Sequence, residues 1–413
     1  MSEHEMNERD HKKLGKELDL FTFSDTVGKG LPLFTPKGAA IYRELERFVI
    51  DEEIKRGYQH VKTPDIAKLD LYKKSGHYPH YKDSMYAPIQ IDDEEFMLRP
   101  MTCPHHFELF LSKPRSYREL PMRIAELAQL YRYEQSGELM GLQRVRTFCL
   151  ADAHIVCASE EQAADEVSSA LDLIEYVAGV FGLNYGNDFH YRLSLGDRAN
   201  TEKYYENDAA WEKGEDLLRK VLEKRSGKFV EAKDEAAFYG PKIDVQMKNV
   251  NGKEDTAFTV QYDFCMPDKF DLTYVSDDGS KKRAFVVHRS SIGAIERIMA
   301  FLIEKYAGAF PTWLSPVQVK ILPISEKHLE YANSVATQLL GVGVRVEVDA
   351  SNESLGKKVR GAKVEKVPYL LVVGDAEKDA NSVAVEHRDK GKIGAKDTSE
   401  FVTMIREEIT RRV

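Results

Sequence analysis

Apolar side chains at Ile41, Leu45, Phe48 and Val49 fall at i, i+4, i+7 and i+8 within "KGAAIYRELERFVIDEEIKRG". That is the stripe of an amphipathic helix, opened after Pro36 and closed at Gly57. The next residues, "YQHVKTP", predict a strand ending at Pro64. From about 91 to 160 the pattern is mostly strands and short helices. Within it "LAQLYRYE" and "RVRTFCLADAHIV" predict two strands joined by the polar loop "QSGELMGLQ". A helix over "SEEQAADEVSSALDLIEYVAGVFG" follows, then strands at "HYRLSLG", "KIDVQMK", "AFTVQYDF" and "RAFVVH". "SSIGAIERIMAFLIEKYAG" predicts a helix with Ile295, Ile298, Met299 and Leu302 on one side. After "FPTWLSP" at 310–316 the pattern changes to strand–helix alternation and ends on a helix, "SEFVTMIREEITRR". The expectation is an α+β body over residues 1–313 with a largely antiparallel sheet, followed by a small α/β domain over 314–413.

Composition narrows this picture. Hydrophobic content of 42% and charged content of 31% suit a globular chain. Apolar runs such as "YLLVV" are far too short to span a bilayer. The opening "MSEHEMNERDHKK" is polar and acidic, unlike a secretory signal or an Arg-rich transit peptide. Four scattered cysteines make no disulfide framework, so a cytoplasmic setting is expected. The net charge of −9 argues against indiscriminate nucleic-acid binding. Residues 314–413, however, carry 16 basic and 15 acidic side chains, a balance compatible with a specific RNA partner.

Three constellations carry candidate chemistry. Cys103 sits in "MTCPHH", His154 lies inside the strand pattern "LADAHIVC", and His288 ends "AFVVH". Each has an ordinary reading, a buried thiol or a hydrogen-bonded core histidine. Together they would make a three-ligand zinc set with one open position. The second constellation is Arg132 and Glu134 before the polar loop, with Arg144, Arg146 and Phe148 after it. Arginines facing a pocket suit a polyphosphate, whereas a solvated hairpin would simply pair these charges. The third is "IGAIER", where Gly293 precedes Arg297 by about one turn.

In their order, "RDHKKLGKELDLF", "SGHYPHYKDSMY", "MTCPHH", "RVRTF", "DAHI", "AFYGPKID", "TVQYDF", "IGAIERI" and "PTWLSPVQV" resemble threonyl-tRNA synthetases, which are class II aminoacyl-tRNA synthetases. The resemblance implies a class II antiparallel-sheet catalytic domain followed by a small α/β anticodon-binding domain. It implies zinc held by Cys103, His154 and His288, with His105 and His106 left out of the ligand set. Arg132 would clamp the α-phosphate and the reacting carboxylate, Glu134 would read adenine and Phe148 would stack on it. Arg144 would reach the distal phosphates, and Arg297 the γ-phosphate and the adenine face. Asp152 would accept the threonine hydroxyl, and Tyr239, Lys242 and Gln261 would line the amino-acid and phosphate pocket, with Thr259 on the ATP side. Glu377 and Asn352 are the candidate anticodon contacts. The implied cofactors are Zn²⁺, ATP and Mg²⁺, and the implied partners are tRNA(Thr), L-threonine and a second copy of the chain across the helix and strand near 37–64.

Several positions depart from the family's pattern. "CLADAHI" stands where the family reads "TQDDAHI", so Leu150 replaces a glutamine near ATP. Thr256 replaces another glutamine before "TVQ", and Glu386 stands where an arginine would help to read the anticodon. The family's N-terminal editing region has no counterpart before the catalytic motifs, so slow serine mischarging is expected. The alternatives are a synthetase-like RNA-binding protein without catalysis, and a zinc hydrolase. Loss of Arg132, Arg297 or a ligand would favour the first, and all are present. The second leaves the arginine hairpin unexplained.

Overall fold

The computed structural model describes residues 7–225 and 228–412. Two compact units emerge. One comprises Phe23–Pro32 and Glu46–Ala300, and the other gathers the segment up to Thr22, Leu33–Leu45 and the chain from Phe301 onward.

The expected first helix forms as α1 (Pro36–Lys55) and buries Ile41, Leu45, Phe48 and Val49. The strand expected up to Pro64 shortens to β1 (Gln59–His60). Beyond it the Val61 N–H still donates to the Ala125 carbonyl at 2.9 Å, but the Thr63 N–H turns to the Glu126 carboxylate, at 3.1 Å, rather than to a backbone carbonyl.

The first unit is built on eight strands: β1, β2 (Met122–Tyr131), β3 (Thr147–Cys157), β4 (Phe189–Leu195), β5 (Phe229–Lys233), β6 (Lys242–Lys248), β7 (Glu254–Asp263) and β8 (Phe285–Ala294). Their order is β5-β4-β6-β7-β8-β3-β2-β1. The inner pairs are antiparallel, and only the two outermost, β5–β4 and β1–β2, are parallel. A short helix, α2 (Cys103–Leu111), lies between β1 and β2 in sequence. The long helix α3 (Glu160–Val180) packs across β8 and β7. The period-two pattern of β3 decides which face it covers. Cys149, Ala151, Ala153, Ile155 and Cys157 are fully packed away, whereas Leu150 and Asp152 on the opposite face keep some exposure. That second face is left for chemistry. All four cysteines are buried and unbridged.

Two boundaries differ from expectation. Strand pairing stops at Tyr131 opposite Thr147, so Arg132, Glu134 and Arg144 stand on the connecting loop rather than in the strands. The helix expected from Ser290 starts at Ile295 as α5 (Ile295–Tyr306), because β8 runs on to Ala294 through a register shift. Gly293 makes that shift possible: its φ is +68°, and a Cβ there would stand 2.0 Å from the Ala257 carbonyl oxygen. A helix not anticipated, α4 (Asp208–Lys224), is capped by Asn207 and buries Trp211, Leu218 and Leu222.

In the other unit a five-stranded sheet has the order β10 (Val346–Val348), β9 (Val319–Pro323), β11 (Tyr369–Val373), β12 (Ser382–His387), β13 (Gly391–Asp397). Helices α6 (Leu329–Gly341), α7 (Leu355–Val364) and α8 (Thr398–Arg411) complete the expected alternation. Its core includes Val319, Ile321, Val335, Leu339, Leu371, Val385, Phe401 and Ile405.

Candidate active site

Strand register assembles the site. His154 on β3 lies directly opposite His288 on β8, which lies opposite Gln261 on β7, which lies opposite Lys242 on β6. Two residues along, the next row holds Asp152, Ser290, Thr259 and Asp244. Side chains paired across a sheet share a face, so residues far apart in sequence meet on the uncovered side. Cys103, the first residue of α2, comes to the same place, and its Sγ and one nitrogen of each histidine lie within 4.8 Å of one another.

All three donor side chains are buried. Burial, with the carboxylates of Asp152 and Asp263, raises the Cys103 thiol well above its usual range. Burial also keeps His154 neutral, with neighbouring His288 and His106 adding to the effect. A soft sulfur and two imidazoles brought together in a buried cluster are a donor set for zinc, whose binding would displace the thiol proton. The set fits the metal. His288 donates from Nε2 to Asp263 at 2.6 Å, while His154 Nδ1 lies 2.8 Å from His106 Nδ1.

Two adjoining hollows open above this set. Cys103, His154, His288, Asp152, Phe148 and Arg297 line the first, together with Leu150, Thr256 and Thr259. Lys242 lines the second, and Arg132, Glu134, Arg144, Tyr239 and Gln261 line both. Of the catalytic-unit residues singled out in sequence for candidate chemistry, all but Arg146 therefore line these two hollows. Glu377 and Asn352 belong to the other compact unit. Asn352 is exposed beyond β10, and Glu377, in the short helix Asp375–Asp379 that follows β11, accepts from the Gly374 N–H at 2.9 Å.

Local contacts pre-set several of these groups. The Arg132 guanidinium lies 5.2 Å from the Phe148 ring centre and donates from Nε to the Pro100 carbonyl at 3.3 Å. Burial lowers its pKa from the ordinary arginine value, which Glu134 opposes and Arg297 reinforces. Arg297 is held by the carbonyls of Gln143 at 3.0 Å and Thr256 at 2.6 Å. The Tyr239 hydroxyl donates to Gln261 Oε1 at 2.5 Å, and its ring stacks on His288 at 5.0 Å. Lys242 Nζ sits 3.0 Å from the Asp244 carboxylate. Burial raises the Asp152 pKa, with His106 and His288 pulling against it.

Pairing within the hairpin goes partly to the simpler sequence reading. Arg144 donates to Glu134 Oε2 at 2.8 Å, and Arg146 turns away, to the carbonyls of Glu134 at 3.0 Å and Lys29 at 3.3 Å.

Sequence reasoning missed three neighbours. His77 stands with Nε2 3.8 Å from Cys103 Sγ, Asp263 bonds His288, and Glu126 bonds His106, which the sequence reading had left out of the ligand set. His77 lies in "SGHYPHYKDSMY", which had pointed only to the family.

Residues 86–306 match the tRNA synthetase class II core domain (G, H, P, S and T), and residues 318–408 match an anticodon-binding domain. The chain belongs to the class II aminoacyl-tRNA synthetases. Within that class it resembles threonine–tRNA ligases from Clostridium perfringens (50% identical over 99% of this chain) and Geobacillus sp. strain WCH70 (49% over 98%). It spans 63% of the length of these curated relatives. Among solved structures, one described as the RNA-binding domain of threonyl-tRNA synthetase from Cryptosporidium parvum superposes with a TM-score of 0.91 at 35% identity. That match covers 97% of this chain and 98% of the other. A putative threonyl-tRNA synthetase from Aeropyrum pernix gives 0.84 at 29%, covering 98% and 97%. The class II fold and the α+β organisation expected from sequence are thus established. No helix among the described residues is long and apolar enough to cross a membrane.

Proposed function

We propose that this synthetase activates L-threonine with ATP and transfers it to tRNA(Thr). One observation carries the reading: the buried Cys103–His154–His288 donor set opens into the same pocket as Arg132 and Arg297 of a class II core. The similarity to threonine–tRNA ligases supports the choice of amino acid. The catalytic part would extend to residue 313 and the anticodon-binding part would follow from 314, with Glu377 and Asn352 as tRNA contacts. A homodimer and a cytoplasmic setting belong to the same proposal.

A zinc ion on Cys103, His154 and His288 would supply coordination for the amino and hydroxyl groups of threonine. Asp152 would accept a hydrogen bond from the threonine hydroxyl, and Tyr239 with Gln261 would wall the amino-acid side. The threonine carboxylate attacks the α-phosphorus of ATP, the bond to the β-phosphate oxygen breaks, and pyrophosphate leaves. The terminal ribose hydroxyl of tRNA then attacks the activated carbonyl and AMP departs.

Arg132 would hold the carboxylate and the α-phosphate together. With Mg²⁺, the remaining charge would be shared by Arg297, Arg144 and Lys242, beside Thr259. Phe148, already under Arg132, offers a flat apolar face for adenine. Glu134 already holds Arg144 through Oε2, so the carboxylate that would accept from the adenine amino group also orients the arginine that would reach the distal phosphates.

ATP–pyrophosphate exchange on zinc-loaded protein tests the proposal. Threonine should exchange strongly. Serine, lacking one methyl, should lose about 10–200-fold, and valine, lacking the hydroxyl, about 10⁴-fold or more. Absence of exchange with all three in folded protein would leave the non-catalytic RNA-binding reading. Leu150 and Thr256, both in the pocket lining, would then be the first substitutions to reverse.

A further inference from the structure

The second histidine of "CPHH" is fully buried, yet the donor set leaves it out. Its two nitrogens have separate partners: Nε2 lies 3.2 Å from Glu126 Oε2, and Nδ1 lies 2.8 Å from His154 Nδ1. Glu126 is itself held from the far side. The Thr63 N–H and Arg99 Nη1 donate to its Oε1 at 3.1 and 3.2 Å, and the Thr63 hydroxyl donates to its Oε2 at 2.7 Å. Burial raises the Glu126 pKa, but the bonds from His106 and Thr63, with Arg99, outweigh it and bring it to about 2. At neutral pH Glu126 can only accept.

The proton positions follow from these contacts. His106 must donate from Nε2 to Glu126, which leaves its Nδ1 to accept from His154. His154 must then donate from Nδ1, which leaves the lone pair of its Nε2 free. His288 reaches a matching state directly, donating from Nε2 to Asp263 and keeping the Nδ1 lone pair. We propose that Glu126 and His106 are positioning residues that fix His154 in its Nδ1–H tautomer and so reserve its Nε2 for the metal. The inference rests on the zinc reading above and concerns this chain's own hydrogen bonds toward that ion. Outer partners of this kind are worth about 10–100-fold in metal affinity.

Glu126→Gln gives the sharpest test because it keeps the shape. Thr63 N–H and Arg99 would claim the amide oxygen, turning the NH₂ toward His106 Nε2. His106 would then carry its proton on Nδ1, facing the proton on His154 Nδ1, and His154 would have to shift its own proton to Nε2.

Zinc affinity is measured by chelator competition on wild type, E126Q, H106N, H106L and C103S. Far-UV circular dichroism and thermal midpoints of the metal-free proteins report folding. The expected result is a loss of about 10–100-fold for E126Q and H106L, with H106N within about threefold of wild type, since its amide oxygen accepts where Nδ1 did. H106N and H106L both lose the bond to Glu126, so their difference isolates the acceptor facing His154 even if E126Q fails to fold. Equal affinity in H106N and H106L, or wild-type affinity in E126Q, overturns the relay. A wild type that binds zinc no better than C103S overturns the zinc reading itself, and the relay falls with it.

Discussion

At the scale of single residues, the hairpin loop shows how one contact can serve two states. Arg144 and Glu134 neutralise each other across 2.8 Å, and each is the group proposed for a different end of ATP. Replacing Arg144 by alanine removes a charge-assisted contact worth about 1.5–3 kcal/mol. The expected outcome is a rise of about tenfold or more in KM for ATP, with KM for threonine unchanged, read from exchange kinetics. A shift in the threonine KM instead would move Arg144 to the amino-acid side. Arg132, Glu134 and Phe148 were accessible in sequence as candidate ATP-binding residue types, with their individual roles implied by the resemblance, but the pairing of Arg144 with Glu134 was not. Nothing in "RYEQSGELMGLQRVRTF" says which of three arginines the carboxylate will meet.

At the scale of elements, two junctions hold the site's strands in register. Gly293 lets β8 shift past Ala257 before α5 begins. Gly293→Ala would put a methyl group into a carbonyl oxygen at a positive φ. It should cost about 1–3 kcal/mol or more in denaturant unfolding, and it should weaken exchange by displacing Arg297. The second junction joins the end of α1 to β8. Glu53, almost fully buried, accepts from Arg289 at 2.6 Å and from the Ser291 hydroxyl at 2.7 Å. Burial pushes the Glu53 carboxyl up, but Arg289 and the hydrogen bonds outweigh it, so it titrates below its ordinary value of 4.5. A carboxyl lowered on folding adds stability that is present above about pH 4.5 and fades as pH falls through the folded value. Glu53→Gln should therefore destabilise the protein by about 3–5 kcal/mol at neutral pH. It should also flatten the acid limb of the stability profile, as followed by urea unfolding between neutral and acidic pH. An unchanged acid limb would place the acid sensitivity elsewhere.

At the scale of the molecule, the two compact units have separate cores, and the donor set lies wholly within the unit of Phe23–Pro32 and Glu46–Ala300. Zinc that binds only the folded form stabilises by mass action, about 2.7 kcal/mol at a hundredfold excess over its Kd. In calorimetry, zinc should raise the unfolding temperature of the unit that holds Cys103. The C103S variant should show no such rise. An equal rise in C103S would assign the stabilising zinc to other ligands.

Periodicity by itself determined α1, α3, the antiparallel strand set and the strand–helix alternation beyond 316, because burying one face imposes a repeat of 3.6 or 2 on the residues. The candidate Cys103–His154–His288 donor set and the hairpin arginines were likewise legible as residue types, since metal and phosphate chemistry restricts them to a few side chains. Tertiary structure alone decided the rest. Pairing of His154 with His288 across β3 and β8, the late start of α5, the meeting of His77 with Cys103, and the Glu126–His106–His154 chain all join residues distant in sequence. A linear pattern records which face a side chain takes, but not which partner from another strand will stand opposite it.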